Sequence, residues 1–395
     1  MKQRIAWSSL LMLFVGGCLQ PLYDDPPQSN ANPGANTRTN ASTVVSAAQP
    51  LPPRVMFVVD KSASMTDPAS GSESGQGCLG PDDRYDGNRT TDCKWNDLLQ
   101  IMTGNGTPAN VGYVRVLNEQ LRSNGVPATL GLTYFAGDDQ CGTGDVAVPL
   151  TTGVDSAEAI TSALGELIPA GATPAAATMQ LLADHDVFPC DDDRDNYAIL
   201  LTDGAPNCDA SLVATETRCG GDRCTEACST WDSGCMCNPA TGGYSLLCLD
   251  DTGLVSAVTQ VKAAGIGTFV VGIGRDIDRN PATVSTLNAA AQAGGFPRND
   301  TSELPRYFYP ANDMNELSSA LLGPSGVIVG NCRFSLAPAA PENFSQLDAR
   351  VDGVDVHIDT GSYELTRSRQ SLNVTNATAC ELLRLGESLQ FVFTP

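Results

Sequence analysis

The stretch VMFVVDKSASM, residues 55–65, runs an apolar segment into Asp60 and then sets two hydroxyls, Ser62 and Ser64, at alternate positions. Carboxylate and hydroxyl oxygens are hard donors suited to Mg²⁺, which keeps several of its waters and takes few direct protein ligands. Taken alone, the D-x-S-x-S pattern is satisfied equally well by a strand entering an Asx or hydroxyl-capped turn. Two further segments bear on the choice. AGATPAAATM sets Thr173 in a turn between two helical stretches, and AILLTDGAPN ends a second apolar run in Asp203.

The elements that must position these groups alternate along the chain. Short apolar runs predict strands over 55–59, 129–135, 146–150, 197–202, 268–273 and 306–309. Apolar residues at helical spacing predict helices over 95–102, 114–122, 156–167, 174–183, 253–264, 281–291 and 314–322. Strand followed by helix, repeated, indicates an α/β fold: a doubly wound, mostly parallel, Rossmann-like sheet covered on both faces. In such sheets ligands sit at the carboxyl ends of the strands. Asp60 and Asp203 end their strands there, and the turn carrying Thr173 falls at the same edge, so three hydroxyls and two carboxylates converge.

These residues resemble the von Willebrand factor type A (vWA) domain and its metal-ion-dependent adhesion site. The resemblance extends to FVVGIGRDID, from Phe269, and to the segment running from AAQAGGFPR to YFYPANDMNELSSAL. It implies a vWA domain over 54–325 and a divalent ion, Mg²⁺ or else Mn²⁺ or Ca²⁺, held by Asp60, Ser62, Ser64, Thr173 and Asp203. The three hydroxyls would touch the ion directly or through water and the two carboxylates largely through water. An open coordination position would then favour an acidic side chain offered by a protein partner. Since this is charge on the surface of the domain, Asp203→Ala is expected to abolish divalent binding and leave the fold intact.

Catalytic patterns compete poorly. The sequence has no G-x-S-x-G elbow, P-loop or H-E-x-x-H, and its only two histidines are His185 and His357. GIGRD, from Gly272, lacks the third glycine of a dinucleotide loop and reads as close backbone packing. No enzyme activity and no small-molecule substrate are expected.

The start of the chain reads as an export signal over 1–17: Lys2 and Arg4, an apolar core from Ile5 to Val15, then Val15-Gly16-Gly17-Cys18. That end resembles the lipobox of bacterial lipoproteins, which implies acylation of Cys18, and Leu19 after it implies the outer membrane. Residues 18–53 are rich in Pro, Asn, Ser, Thr and Ala and predict a disordered, lipid-anchored tether. A formal charge of −22 argues against nucleic acid or anionic lipid headgroups as partners.

Fourteen cysteines suit an oxidising compartment. Cys208, Cys219, Cys224, Cys228, Cys235, Cys237 and Cys248 fall in an insert over 205–250 that leaves the metal edge after Asp203. No C-x-x-C pair occurs there, so disulfides are preferred over zinc. A second insert, 66–92, follows Ser64 and closes through Cys78 and Cys93. Topology sets Cys141 at the metal edge, available to the insert cysteines, and Cys190 at the opposite edge, the odd thiol. CDDDRD, from Cys190, reads as a solvated turn, and CLDDTG, from Cys248, as a helix cap by Asp250 or Asp251. From 326 to 395 the pattern turns to alternating β, with Cys332 and Cys380 flanking a small antiparallel module. It resembles the tails of cysteine-rich vWA lipoproteins of myxobacterial type. The function expected is an envelope-bound adhesion or binding lipoprotein, with a metal-independent assembly scaffold as the alternative.

Overall fold

A computed structural model describes residues 42–395 apart from 70–76, 81–83, 89, 106, 108–109, 123–127, 136–140, 152, 185, 190–192, 210–247, 331 and 386–387. The apolar run at residues 54–60 forms strand β2 (Arg54–Asp60), buried along its whole length. Its alternation decides which core each side chain enters. Val55, Phe57 and Val59 join one apolar cluster, while Met56 and Val58 point to the other. A strand covered on both faces reads as a continuous apolar run, which is why this one was legible.

Around β2 lies a six-stranded sheet in the order β4 (Asp145–Val148), β3 (Thr129–Phe135), β2, β5 (Asn196–Thr202), β6 (Ile266–Ile273), β7 (Tyr309–Ala311). All neighbours are parallel except β3 and β4. Helices α1 (Lys94–Thr103), α2 (Tyr113–Leu121), α3 (Ala157–Glu166) and α7 (Met314–Val329) contribute to the first cluster. Helices α4 (Ala175–Leu181), α5 (Asp251–Ala263) and α6 (Pro281–Gly294) contribute to the second. Asp250 caps α5 by accepting the Gly253 N–H at 3.0 Å. Two expected boundaries move. The last strand lies at 309–311 rather than 306–309, and α7 continues through Gly323-Pro324, with Pro324 buried.

The expected tether and module differ more deeply. Residues 44–50, assigned above to a disordered tether, form strand β1 (Val44–Pro50). It lies inside a seven-stranded sheet with the order β10 (Val354–Ile358), β9 (Gln346–Val351), β13 (Leu389–Thr394), β1, β8 (Arg333–Ala337), β12 (Ser371–Val374), β11 (Tyr363–Leu365). Val44–Ala47 pair antiparallel with β13, and Ala47–Pro50 pair antiparallel with β8. The C-terminal module therefore begins before the α/β unit, which is inserted between its first two strands. A core of Phe334, Leu347, Phe391 and Phe393 covers one side, joined by Leu383 of helix α8 (Ala377–Leu385). Asp352 and Gly353, both at positive φ, make the tight β9–β10 turn. Cys332 and Cys380 are bonded.

Of the turn expected before β5, the described residues Asp193, Arg194 and Asp195 form contacts between the two sheets. Arg333 Nη2 donates to Asp195 Oδ1 at 2.8 Å, Ser368 Oγ donates to Asp193 Oδ1 at 3.0 Å, and Arg194 Nη1 donates to the Pro52 carbonyl at 3.4 Å. The Arg54 N–H reaches the Asp195 carbonyl, and the Leu51 N–H that of Arg333, each at 2.9 Å.

Candidate functional site

Strand β2 delivers Asp60 to the carboxyl edge, where its carboxylate is fully buried. Oδ1 accepts the Ser62 N–H at 2.8 Å and Oδ2 accepts the Thr202 hydroxyl at 2.7 Å, so Asp60 first shapes its own turn. That turn brings Ser62 Oγ within 3.0 Å of Ser64 Oγ. Both hydroxyls face Asp203 Oδ1, from Ser64 at 3.0 Å and from Ser62 at 3.5 Å. Burial, and then the negative charge of Asp203, push the Asp60 carboxyl up to about 7.

The loop bearing Thr173 is held beside this turn by backbone. Ala63 N–H donates to the Gly171 carbonyl at 2.9 Å and Ala170 N–H to that of Lys61 at 2.7 Å. Asn207, on the exit from β5, clasps Thr173 from the other side. Its side-chain oxygen accepts the Thr173 N–H at 2.8 Å, and its own N–H donates to the Thr173 carbonyl at 3.0 Å. No direct hydrogen bond joins the Thr173 hydroxyl to the other four side chains. The edge thus gathers Ser62, Ser64 and Asp203 into contact, with Asp60 behind them and Thr173 alongside.

Two features at this edge depart from the expectation. Most of the cluster is buried rather than exposed: Asp203 is 1 % accessible, Asp60, Ser62 and Thr173 are buried, and Ser64 alone is half-buried. And its second carboxylate oxygen is occupied by a group the motif did not announce. Lys94, the first residue of α1 and 0 % exposed, donates from Nζ to Asp203 Oδ2 at 2.9 Å and to Asp276 Oδ2 at 2.7 Å. Burial alone would lower the Lys94 pKa. The charges of Asp203 and Asp276, with the hydrogen bonds to both, outweigh it and hold the ammonium above its ordinary value. Asp203→Ala would therefore remove one of the two counter-charges of a buried ammonium, a change expected to cost stability as well as any bound ion.

GIGRD supplies room for this lysine. A Cβ on Gly274, at φ +99°, would lie 2.7 Å from Lys94 Cε, and one on Gly272 would lie 2.8 Å from the Phe308 ring. Lys94 is also fixed from its N-terminal side, because the preceding Cys93 is bonded to Cys78. In the insert 66–92, Asn96 on α1 donates to the carbonyls of Asn88 and Thr91, and Tyr85 donates to Asn96 Oδ1. Cys141 is bonded to Cys208 at the start of the longer insert, and Cys248 is also disulfide-bonded. Cys18, Cys190, Cys219, Cys224, Cys228, Cys235 and Cys237 lie outside the described residues, as does His185. His357, exposed in the seven-stranded sheet, has Nδ1 2.7 Å from Asp348 Oδ1.

The donor chemistry fits a hard divalent cation. Two hydroxyls converge on one oxygen of a buried carboxylate, and a second buried carboxylate lies close enough to be raised by its charge. Among the described residues no group of three or more His, Cys, Asp or Glu side chains could hold a metal. Among the same residues no helix is long and apolar enough to cross a membrane.

No protein-family profile matches the chain, and no curated protein does. Several solved structures are similar. Proximal thread matrix protein 1 from the mussel byssus has a TM-score of 0.40 at 14% identity, over 73% of this chain and 50% of that one. The pilus adhesin SpaC from Lactobacillus rhamnosus GG, in its open conformation, has a TM-score of 0.43 at 14% identity, over 89% and 40%. The manganese-loaded TRAP protein of Plasmodium vivax has a TM-score of 0.38 at 15% identity, over 71% and 76%. The chain thus spans half or less of the length of the first two. Likenesses of this extent are compatible with many functions. Strand order, parallel pairing and the gathering of Ser62, Ser64 and Asp203 in front of Asp60 give the inserted unit the mostly parallel α/β sheet, with its candidate site at the carboxyl edge, that the resemblance to the vWA domain implies.

Proposed function

We propose that this chain is a non-enzymatic binding or adhesion protein that engages a protein partner through a divalent cation at the carboxyl edge of the inserted unit. The observation that carries the reading is the convergence of Ser62 and Ser64 on Asp203 Oδ1, at 3.5 and 3.0 Å. Ser62, Ser64 and Asp203 would hold Mg²⁺ or Mn²⁺, with Asp60 and Thr173 supporting it. When bound, the ion supplies a Lewis-acidic position for a carboxylate offered by the partner. The chain's own residues orient the hydroxyls, keep Asp203 fixed from behind and surround the position with ordered backbone. The expected setting is the cell envelope, with the chain anchored through acylated Cys18 on an outer membrane.

Calorimetric titration with Mg²⁺ and Mn²⁺ tests the site. Ser64→Ala and Asp203→Asn should each weaken binding at least about tenfold, the loss of one ligand-strength contact of about 1.4 kcal/mol. Both are preferable to Asp203→Ala, since they keep the shape around Lys94. Unchanged affinity in both variants would remove the metal from this edge. Capture of envelope proteins with and without chelator then tests the role of the ion in binding. The alternative, a scaffold that works without metal, draws on Lys94, which already sets one positive charge on Asp203. Capture that is indifferent to chelator would favour it.

A further inference from the structure

The metal reading leaves Lys94 unused. A hydroxyl and carboxylate set that awaits a divalent ion needs no ammonium against it, and burying one costs several kcal/mol unless its partners are close. Here three elements are built around it. Helix α1 supplies the lysine, the exit of β5 supplies Asp203, and the β6 exit supplies Asp276 together with Gly274, whose missing side chain leaves the passage for Lys94. Nζ also donates to the Ser64 carbonyl at 3.4 Å. The two oxygens of Asp203 are therefore divided: Oδ1 faces Ser62 and Ser64, and Oδ2 faces Lys94.

We propose that Lys94 is a specificity-determining residue of this site, a fixed internal cation that orients Asp203 and holds the divalent affinity of the edge low. This rests on the metal reading of the preceding section. Charges around the position are mixed. Asp60, Asp67, Asp203 and Asp276 act on it from four positions, and Lys94 and Lys61 oppose them, Lys61 pointing its ammonium at the Ile168 carbonyl and the Tyr134 ring. Lys94 is the positive group bonded to a candidate ligand. An ion sharing Asp203 with it meets direct like-charge repulsion, so an isolated ion binds weakly and a partner's carboxylate adds the negative charge that completes the site.

The test is Mn²⁺ affinity of the full chain by calorimetry, with thermal melts as a second readout. Lys94→Met keeps the length of the side chain and removes its charge, and should bind Mn²⁺ about tenfold tighter or more. The melting temperature of the metal-free variant should fall, and its rise on adding Mn²⁺ should exceed that of the wild type. Asp276→Asn should bind more weakly than the wild type, and the double variant should return toward wild-type affinity and stability. If Lys94→Met does not fold, Asp276→Asn and the double variant still order the affinities. Equal or weaker binding by Lys94→Met, or by the double variant relative to Asp276→Asn, overturns the proposal. If Ser64→Ala has no effect on Mn²⁺ affinity in either the wild-type or the Lys94→Met background, the metal reading itself fails and this inference falls with it. Binding by Lys94→Met where the wild type shows none supports the proposal, because it shows the ammonium excluding the ion.

Discussion

Removing strand β1 should unfold the seven-stranded sheet and spare the inserted unit. The strand bridges β13 and β8, so a chain beginning at Leu51 splits that sheet into two three-stranded pieces. Its burial is small in apolar terms: Ala48 is buried with Ser46, and Val44 packs partly against the same core. Its contribution is mainly the ladder: Val44–Ala47 on one side and Ala47–Pro50 on the other. At roughly four hydrogen bonds per ladder and about 1 kcal/mol net for each, the loss is on the order of 8 kcal/mol. Native domains are stable by roughly 5–15 kcal/mol in all, so this module should fall to its threshold or below it. The α/β unit keeps both of its own cores. Limited proteolysis with mass mapping on chains 42–395 and 51–395 reads the outcome directly. The shorter chain should be cut between Arg333 and Thr394 while the region from Arg54 to Val329 stays protected. A synthetic peptide of residues 42–51 should restore protection in trans. Equal protection of both chains would refute the assignment of β1 as a central strand.

Other outcomes follow from the structure. Replacing Cys78 and Cys93 by serine opens a link of sequence separation 15, which chain entropy values at about 3 kcal/mol, and should lower the denaturant midpoint by the corresponding amount. Burial, then the charges of Asp92 and Asp313, push Asp97 up to about 6, above its unfolded value of 3.8. The folded state therefore binds that proton more tightly, and the contribution to stability is present at low pH and lost as pH rises through about 6. Asp97→Asn should melt about 2–4 °C higher than the wild type at pH 7.5, with the gap closing near pH 4. A gap independent of pH would show that Asp97 is not its cause.

How much of this was legible depends on where each element finds its partners. Strands β2, β3, β5 and β6 announce themselves because both faces are buried and their central positions are almost all apolar. The D-x-S-x-S turn, Thr173 and Asp203 are legible through topology, since parallel strands put their ends at one edge. Strand β1 is not. Its sequence, VVSAAQP, carries small and polar residues, and the partners that select it lie at Arg333–Ala337 and Leu389–Thr394. Helix α7 reads as ending at Leu322 because Gly-Pro follows, yet tertiary packing of Leu321, Pro324 and Ile328 carries it to Val329. Lys94 is hidden for a similar reason. At a helix start a lysine reads as solvated, and its partners are 109 and 182 residues away. Asn207 was visible in AILLTDGAPN, but nothing local marked it as the clasp on Thr173.

The three residues between β1 and β2 give the molecule a mechanical axis. A pull applied upstream of Val44 enters the seven-stranded sheet along a strand held by antiparallel neighbours on both sides, so the ladders are loaded in shear and must yield together rather than unzip singly. The force then crosses only Leu51, Pro52 and Pro53, a short stiff link pinned by the Leu51 N–H to the Arg333 carbonyl. Beyond it β2 runs to Asp60, ahead of the two serines, and Arg333, Asp195 and Arg54 brace the crossing. If the proposed anchor lies upstream of Val44 and the proposed ligand is held at Ser62 and Ser64, tension between them would pass through β1, this three-residue link and β2, a path that includes none of the helices, α1 with Lys94 among them.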